Sequence, residues 1–232
     1  MASILKVDKI RGTGLDSDTI TLDGSGNLTI PKNITFSGNS TFSGSVTGDN
    51  SGSVDILANN TTGGSAVSEI VFDLSMDTKY AHQRFIIEDM YSSSNYDIFM
   101  RARRASDNAY FTGANDYAFS YRYATAGGAG GSGNNDAANG RIVGNGAGNT
   151  AAEAGCWTID VYNNTVSGTG RGAHFHWTRF GWDSLYRSCT EEGVTSLRPT
   201  APVPSNQFKI YSSAGGGTLT FTGYVHYGIR RT

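Results

Sequence analysis

The sequence predicts an all-β protein: an N-terminal elongated β stem shared by three copies of the chain, then an antiparallel, jelly-roll-like β-sandwich head. Three observations predict it. The first third carries an apolar beat of six residues, the remainder carries short period-two runs of β-formers, and no stretch shows the 3.6-residue periodicity of an amphipathic helix. Leu22, Leu28 and Ile34 fall on one row of the beat, which returns at Val46 after a miss at Ser40. Ile30, Phe36 and Phe42 form a second row, and Thr35-Phe36-Ser37-Gly38 recurs as Thr41-Phe42-Ser43-Gly44. An even step preserves the face of a β-strand, whose side chains alternate with period two.

That repeat cannot make a core alone. From Asn33 to Ser65 the only charges are Asp49 and Asp55, and the composition is Ser, Thr, Gly and Asn with scattered aliphatics and two phenylalanines. A single copy buries too little to offset chain entropy and exposes its strand edges. Three chains wound about one axis solve both problems, since each edge is covered by a neighbour and the apolar rows meet centrally. Residues 19–65 are therefore read as stem, ending in the neck Asn59-Asn60-Thr61-Thr62-Gly63-Gly64-Ser65, and 66–232 as head. The competing reading of Gly12 to Ser65 is a flexible polar linker, which has no reason to keep a period.

Every Trp, Tyr, His and Cys lies after Ser65. Strands are expected at Glu69 to Leu74 and Arg84 to Tyr91, and through Tyr96, Ile98 and Met100. Tyr117, Phe119, Tyr121 and Tyr123 share one face of the next. Trp157, Ile159 and Val161 oppose Thr158, Asp160 and Tyr162, and Phe175 with Trp177 opposes His174, His176 and Thr178. Phe208 to Ser212 and a long final strand, Leu219 to Arg230, complete the set, the last with Phe221, Val225, Tyr227 and Ile229 inward. Ala126 to Thr150 is a Gly/Asn/Ala tract broken by Arg141-Ile142-Val143, and reads as an exposed loop at a tip or subunit seam.

A formal net charge of −2 with 16% charged residues leaves no electrostatic footprint for nucleic acid or an anionic membrane. No apolar run approaches the roughly 20 residues of a membrane-spanning helix, and the start has no signal-peptide core, so membrane insertion and secretion are not expected. Cys156 and Cys189 lack a CxxC pattern and read as small hydrophobes, with a disulfide as the alternative.

No cofactor, metal or catalytic residue is expected. Gly127 to Gly148 lacks the Gly-Lys-Ser/Thr of a phosphate loop. His174 and His176 share a strand face, yet a third ligand would have to come from His82, His226 or a distant carboxylate. Glu191 or Glu192 with Asp183 or Asp160 is the weak case for glycan hydrolysis, since adjacent strand residues point to opposite faces. A glycan-binding cluster reads better: Trp177, Trp182 and Tyr186 lie close in sequence, with Arg179, Asp183 and Arg187 between or beside them. Aromatic faces stack on sugar C–H surfaces while Arg and Asp bond hydroxyls. The competing reading places these tryptophans in the core.

The opening Met1-Ala2-Ser3-Ile4-Leu5-Lys6-Val7-Asp8-Lys9-Ile10 resembles the start of many small tail-fibre and other virion structural proteins of bacteriophages, especially marine and cyanobacterial ones. Thr19-Ile20-Thr21-Leu22-Asp23-Gly24-Ser25-Gly26-Asn27-Leu28-Thr29 resembles the β-repeat that follows that start. The resemblance spans Met1 to Gly48. It implies a homotrimer assembled in the host cytoplasm and carried on the virion, with an N-terminal anchor over residues 1–18 contacting other tail or capsid proteins. Ile4, Leu5, Val7 and Ile10, among Lys6, Lys9 and Arg11, are the candidate anchor; the alternative is an ordinary first stem strand. The head would then attach the particle to a host-surface glycan or other receptor. A head fibre or tail decoration without a receptor is the alternative.

Overall fold

The computed structural model describes residues 9–10, 20–22, 28–29, 54–60, 63–94, 97–143, 149–162, 164, 172–182, 188–198, 204–213 and 215–231. The chain divides into two units, Met1–Asp49 and Asn50–Thr232.

In the first unit, β1 (Lys9–Ile10), β2 (Ile20–Leu22) and β3 (Leu28–Thr29) form an antiparallel sheet in that order. Leu22 pairs directly with Leu28, and Thr21 with Thr29. The first interval of the apolar beat is therefore a cross-strand pairing, not a step along one strand. The chain folds back on itself here, which the period alone did not distinguish from a continuous strand. Ile30, Ile34, Phe36, Phe42 and Val46 lie outside the described residues.

The second unit is built on two antiparallel sheets. The larger runs β4 (Val54–Asn60), β16 (Gly223–Arg230), β6 (Tyr80–Ser92), β11 (Gly155–Tyr162), β12 (His174–Trp182), β13 (Ser188–Leu197), β8 (Tyr117–Thr125) and β9 (Gly128–Ala137), with β15 (Leu219–Thr220) joined to β6. The smaller runs β10 (Gly140–Val143), β7 (Ile98–Arg104), β14 (Ser205–Ser212) and β5 (Glu69–Asp73). This arrangement is consistent with a β-sandwich, and the period-two runs show why these residues make it. On β11, Trp157, Ile159 and Val161 are buried; on β12, Phe175 and Trp177; on β14, Phe208 and Ile210.

The sheets meet through aromatic rings. Phe72 of β5 stacks on Phe208 of β14 at 4.8 Å between centroids and meets Phe85 of β6 edge-on at 5.3 Å. Phe208 touches Phe85 at 5.1 Å and Phe175 at 5.4 Å, both in T-shaped geometry. Toward the other end, the fully buried Tyr117 hydroxyl accepts from the Ala102 N–H at 2.9 Å and donates to the Phe111 carbonyl at 3.2 Å. Burial raises its pKa, so it stays a neutral donor.

Several expectations are corrected. Asn59 and Asn60 end β4, which pairs with β16, and the Gly63 and Gly64 N–H groups donate to Thr222 and Phe221 carbonyls. These residues of the expected neck thus bond within the second unit, which spans Asn50–Thr232. The Gly-rich tract is not one long loop, because it supplies edge strand β9 and strand β10. Its glycines permit close approach: a Cβ at Gly130 would lie 2.6 Å from the Tyr123 hydroxyl, and one at Gly131 would lie 2.5 Å from the Tyr121 carbonyl oxygen. The final strand breaks after Thr220 and resumes at Gly223. Leu219 and Phe221 are buried, but after Gly223 the buried positions of the last strand are His226 and Gly228. Val225, Tyr227 and Ile229 accordingly take the opposite face to the one expected. Tyr96 lies outside the described residues.

Gly193 sits beneath Trp177: a Cβ there would lie 2.6 Å from the indole and 2.7 Å from the Ser120 carbonyl oxygen. Since neither neighbour is a flexible tip, Gly193→Ala is expected to cost about 1–3 kcal/mol, read by chemical denaturation. His226 offers a second test. Its ring stacks on Phe85 at 4.0 Å, and its Nε2 lies 2.9 Å from Gln83 Oε1. Burial pushes its pKa down to about 4 from 6.5, against an opposing pull from the Asp73 carboxylate. Between those values the unfolded chain binds a proton that the native chain does not, so stability is fully present above about pH 6.5 and declines toward pH 4. His226→Gln is expected to remove roughly 2–3 kcal/mol of that pH dependence, measured as the change in unfolding free energy between pH 7 and pH 4.

Candidate functional site

The inward parity of β11 and β12 dictates what the other face of the large sheet carries. Register aligns one transverse row across it: Ile56, Tyr227, Arg84, Asp160, His176, Val194 and Ser120. Beside it run Val225, Ile86, Thr158, Thr178, Glu192 and Arg122. The middle of this face is polar and tied together. Arg84 grips Asp160 with both Nε and Nη2, at 2.8 and 2.9 Å. His82 stacks on Tyr162 at 4.7 Å, and burial lowers its pKa while the nearby Asp160 carboxylate opposes that shift. His174 Nδ1 lies 2.8 Å from Ser196 Oγ. Among the described residues no group of three or more His, Cys, Asp or Glu side chains could hold a metal ion.

Toward β8 the face opens into a depression of about 600 Å³, lined by Arg122, Ala124, Thr178, Phe180, Thr190 and Glu192. A neighbouring hollow of about 320 Å³ shares Arg122 and Glu192 and adds Ser120, His176 and Val194. Arg122 donates through Nε to a Glu192 oxygen across the β8–β13 pair. Phe180 is 62% exposed, an unusual setting for an aromatic ring. The groove is thus a long, shallow surface with one bare ring, hydroxyls and a neutralised ion pair.

Beneath it lies the reverse chemistry. Arg179 and Glu191, cross-strand partners on β12 and β13, form a fully buried ion pair at 3.2 Å, with the guanidinium over Trp157 at 5.1 Å. Glu191 faces in and Glu192 faces out, as strand alternation requires, so the two adjacent carboxylates do not form a pair. Cys156 is exposed and Cys189 buried.

Of the residues singled out in the sequence for glycan binding, the structure describes the side chains of Trp177 and Arg179 alone. Trp177 is fully buried over Gly193 and has no face free for a ligand, which corrects its assignment to a glycan site. Arg179 is likewise internal. Trp182 ends β12 opposite Ser188, while Asp183, Tyr186 and Arg187 lie outside the described residues. Ile10 pairs with Ile20 in the β1–β2 ladder, as a strand residue of the first unit would; Ile4, Leu5 and Val7 lie outside the described residues. Phe180 and Arg122 were missed. Alternation could have found Phe180, since inward Phe175 and Trp177 turn position 180 outward. Comparison with family models, with curated proteins and with solved structures found no match for this chain.

The two charge pairs should behave differently. Glu191→Ala leaves a buried guanidinium without that carboxylate and is expected to cost about 3–5 kcal/mol. Arg122→Ala, on the solvent-screened outer pair, is expected to leave the denaturation midpoint unchanged.

Proposed function

We propose that the chain is a homotrimeric fibre protein of a bacteriophage virion, non-enzymatic, whose N-terminal segment docks on other virion proteins and is followed by a projecting trimeric β stem. Its C-terminal jelly-roll-like head attaches the particle to a host-surface glycan or other receptor. The observation that carries this reading is the exposed apolar edge of the large sheet at β4. Val54 and Ile56 of β4, the first strand of the second unit, are 45% and 69% exposed there, and pair with Ile229 and Tyr227. Exposed β-branched residues on an edge strand invite association, and a second and third copy of the chain are the partners that the apolar N-terminal repeat also calls for. Trimerisation adds avidity, so individually weak receptor sites suffice. The exposed Phe180 favours attachment over the decoration alternative, since a purely structural head has no use for a bare ring above polar groups.

Light scattering after size exclusion is expected to give three times the 24.6 kDa chain mass for the intact protein. Ile56→Ser combined with Val54→Ser is expected to loosen that trimer at low protein concentration. A monomeric parent protein would overturn the fibre reading.

A further inference from the structure

We infer that the groove across β8, β12 and β13 is a binding site for a neutral oligosaccharide, an inference that rests on the attachment reading above and names its ligand class. The two hollows share Arg122 and Glu192, so together they form one elongated site. Their volumes of about 600 and 320 Å³ fall in the range of small-ligand pockets and suit two or three sugar units. Phe180 offers an exposed ring on which the C–H face of a pyranose can stack.

The polar groups select the ligand's charge. Each sugar hydroxyl both donates and accepts, and Arg122 with Glu192 presents a donor fork and an acceptor side by side. A lone arginine would recruit carboxylated sugars or phosphate. Here Glu192 already neutralises the guanidinium, and its carboxylate would repel a second anion. The Thr178 and Thr190 hydroxyls on the same lining are uncharged. A neutral, hydroxyl-rich chain fits this surface better than a sialylated or uronate-containing one.

The test applies the full-length protein to an array of neutral gluco-, manno- and galacto-oligosaccharides beside sialylated and uronate-containing glycans. Neutral glycans are expected to retain it. Phe180→Ala and, independently, Arg122→Ala should weaken that retention at least tenfold with solution mass and melting temperature unchanged, while Phe180→Tyr preserves it. Retention by acidic glycans alone, or neutral binding indifferent to both alanine variants, would overturn the groove and leave the attachment reading standing. Retention by no glycan would overturn the inference and remove the glycan from the attachment reading, whereas a monomeric solution mass would point to failure of the fibre reading itself.

Discussion

The aromatic contact between the sheets is the constraint from which the rest follows. Phe72 and Phe208 from the small sheet lock onto Phe85 and Phe175 from the large one. This fixes which parity of β6 and β12 is internal. Hydrogen-bonded register then hands that parity to β11 and β16, and through β13 to β8. Slipping β12 by one residue would bury His176 and expose Trp177, so the register is strongly specified. The outer face is thus a consequence of the core. Phe180 is exposed because Phe175 and Trp177 are not.

Polar side chains inside the head finish what the aromatics begin. Gln83 donates through Nε2 to the Ser75 carbonyl at 2.9 Å and to Asn164 Oδ1 at 3.2 Å, while its Oε1 accepts from the Ser75 N–H at 2.7 Å and faces His226. Asn164 in turn donates to the Ser75 carbonyl at 2.9 Å. Four separate stretches of chain are therefore tied at one point. Such groups are costly when unpaired and directional when paired, so they add geometric uniqueness that apolar contacts do not supply. Arg141 plays a comparable part on β10, pairing with Asp97 and reaching Tyr121 Oη at 3.2 Å, which joins the small sheet to β8.

Most strands of the head were legible because half-buried antiparallel strands write their burial into alternate residues. Trp157, Ile159 and Val161 show this cleanly. The failures share a cause: the deciding contact is non-local. Nothing near Gly128 to Ala137 announces a strand, since its glycines are required by the tyrosine side chain and backbone of β8 lying against them. The parity of β16 is reset by a break after Thr220 that no proline or glycine pair marks. Leu22 and Leu28 keep a period that suits either a continuous strand or a hairpin, and only pairing separates the two. Trp177 illustrates the opposite error, an aromatic grouped with its sequence neighbours when its own strand parity placed it inside.

On the proposed reading, assembly and recognition would use different parts of the outer face, because its exposed apolar residues on β4 and on β12 are far apart. Val54 and Ile56 lie on β4, whereas Phe180 lies on β12, with β16, β6 and β11 between them. Four inter-strand spacings of about 4.8 Å put roughly 19 Å between the two strands. Between them one row carries Arg84 gripping Asp160 with His82 nearby, while the next carries Val225, Ile86 and Thr158. The Arg84–Asp160 pair is expensive to desolvate, so a contact between copies nucleated at β4 would be opposed where it reached that pair. A trimer closed through β4 would therefore leave the groove open on each copy. On the proposed reading, three weak sugar sites on one assembly would act together through avidity, each placed by the parity that the buried aromatic cluster sets.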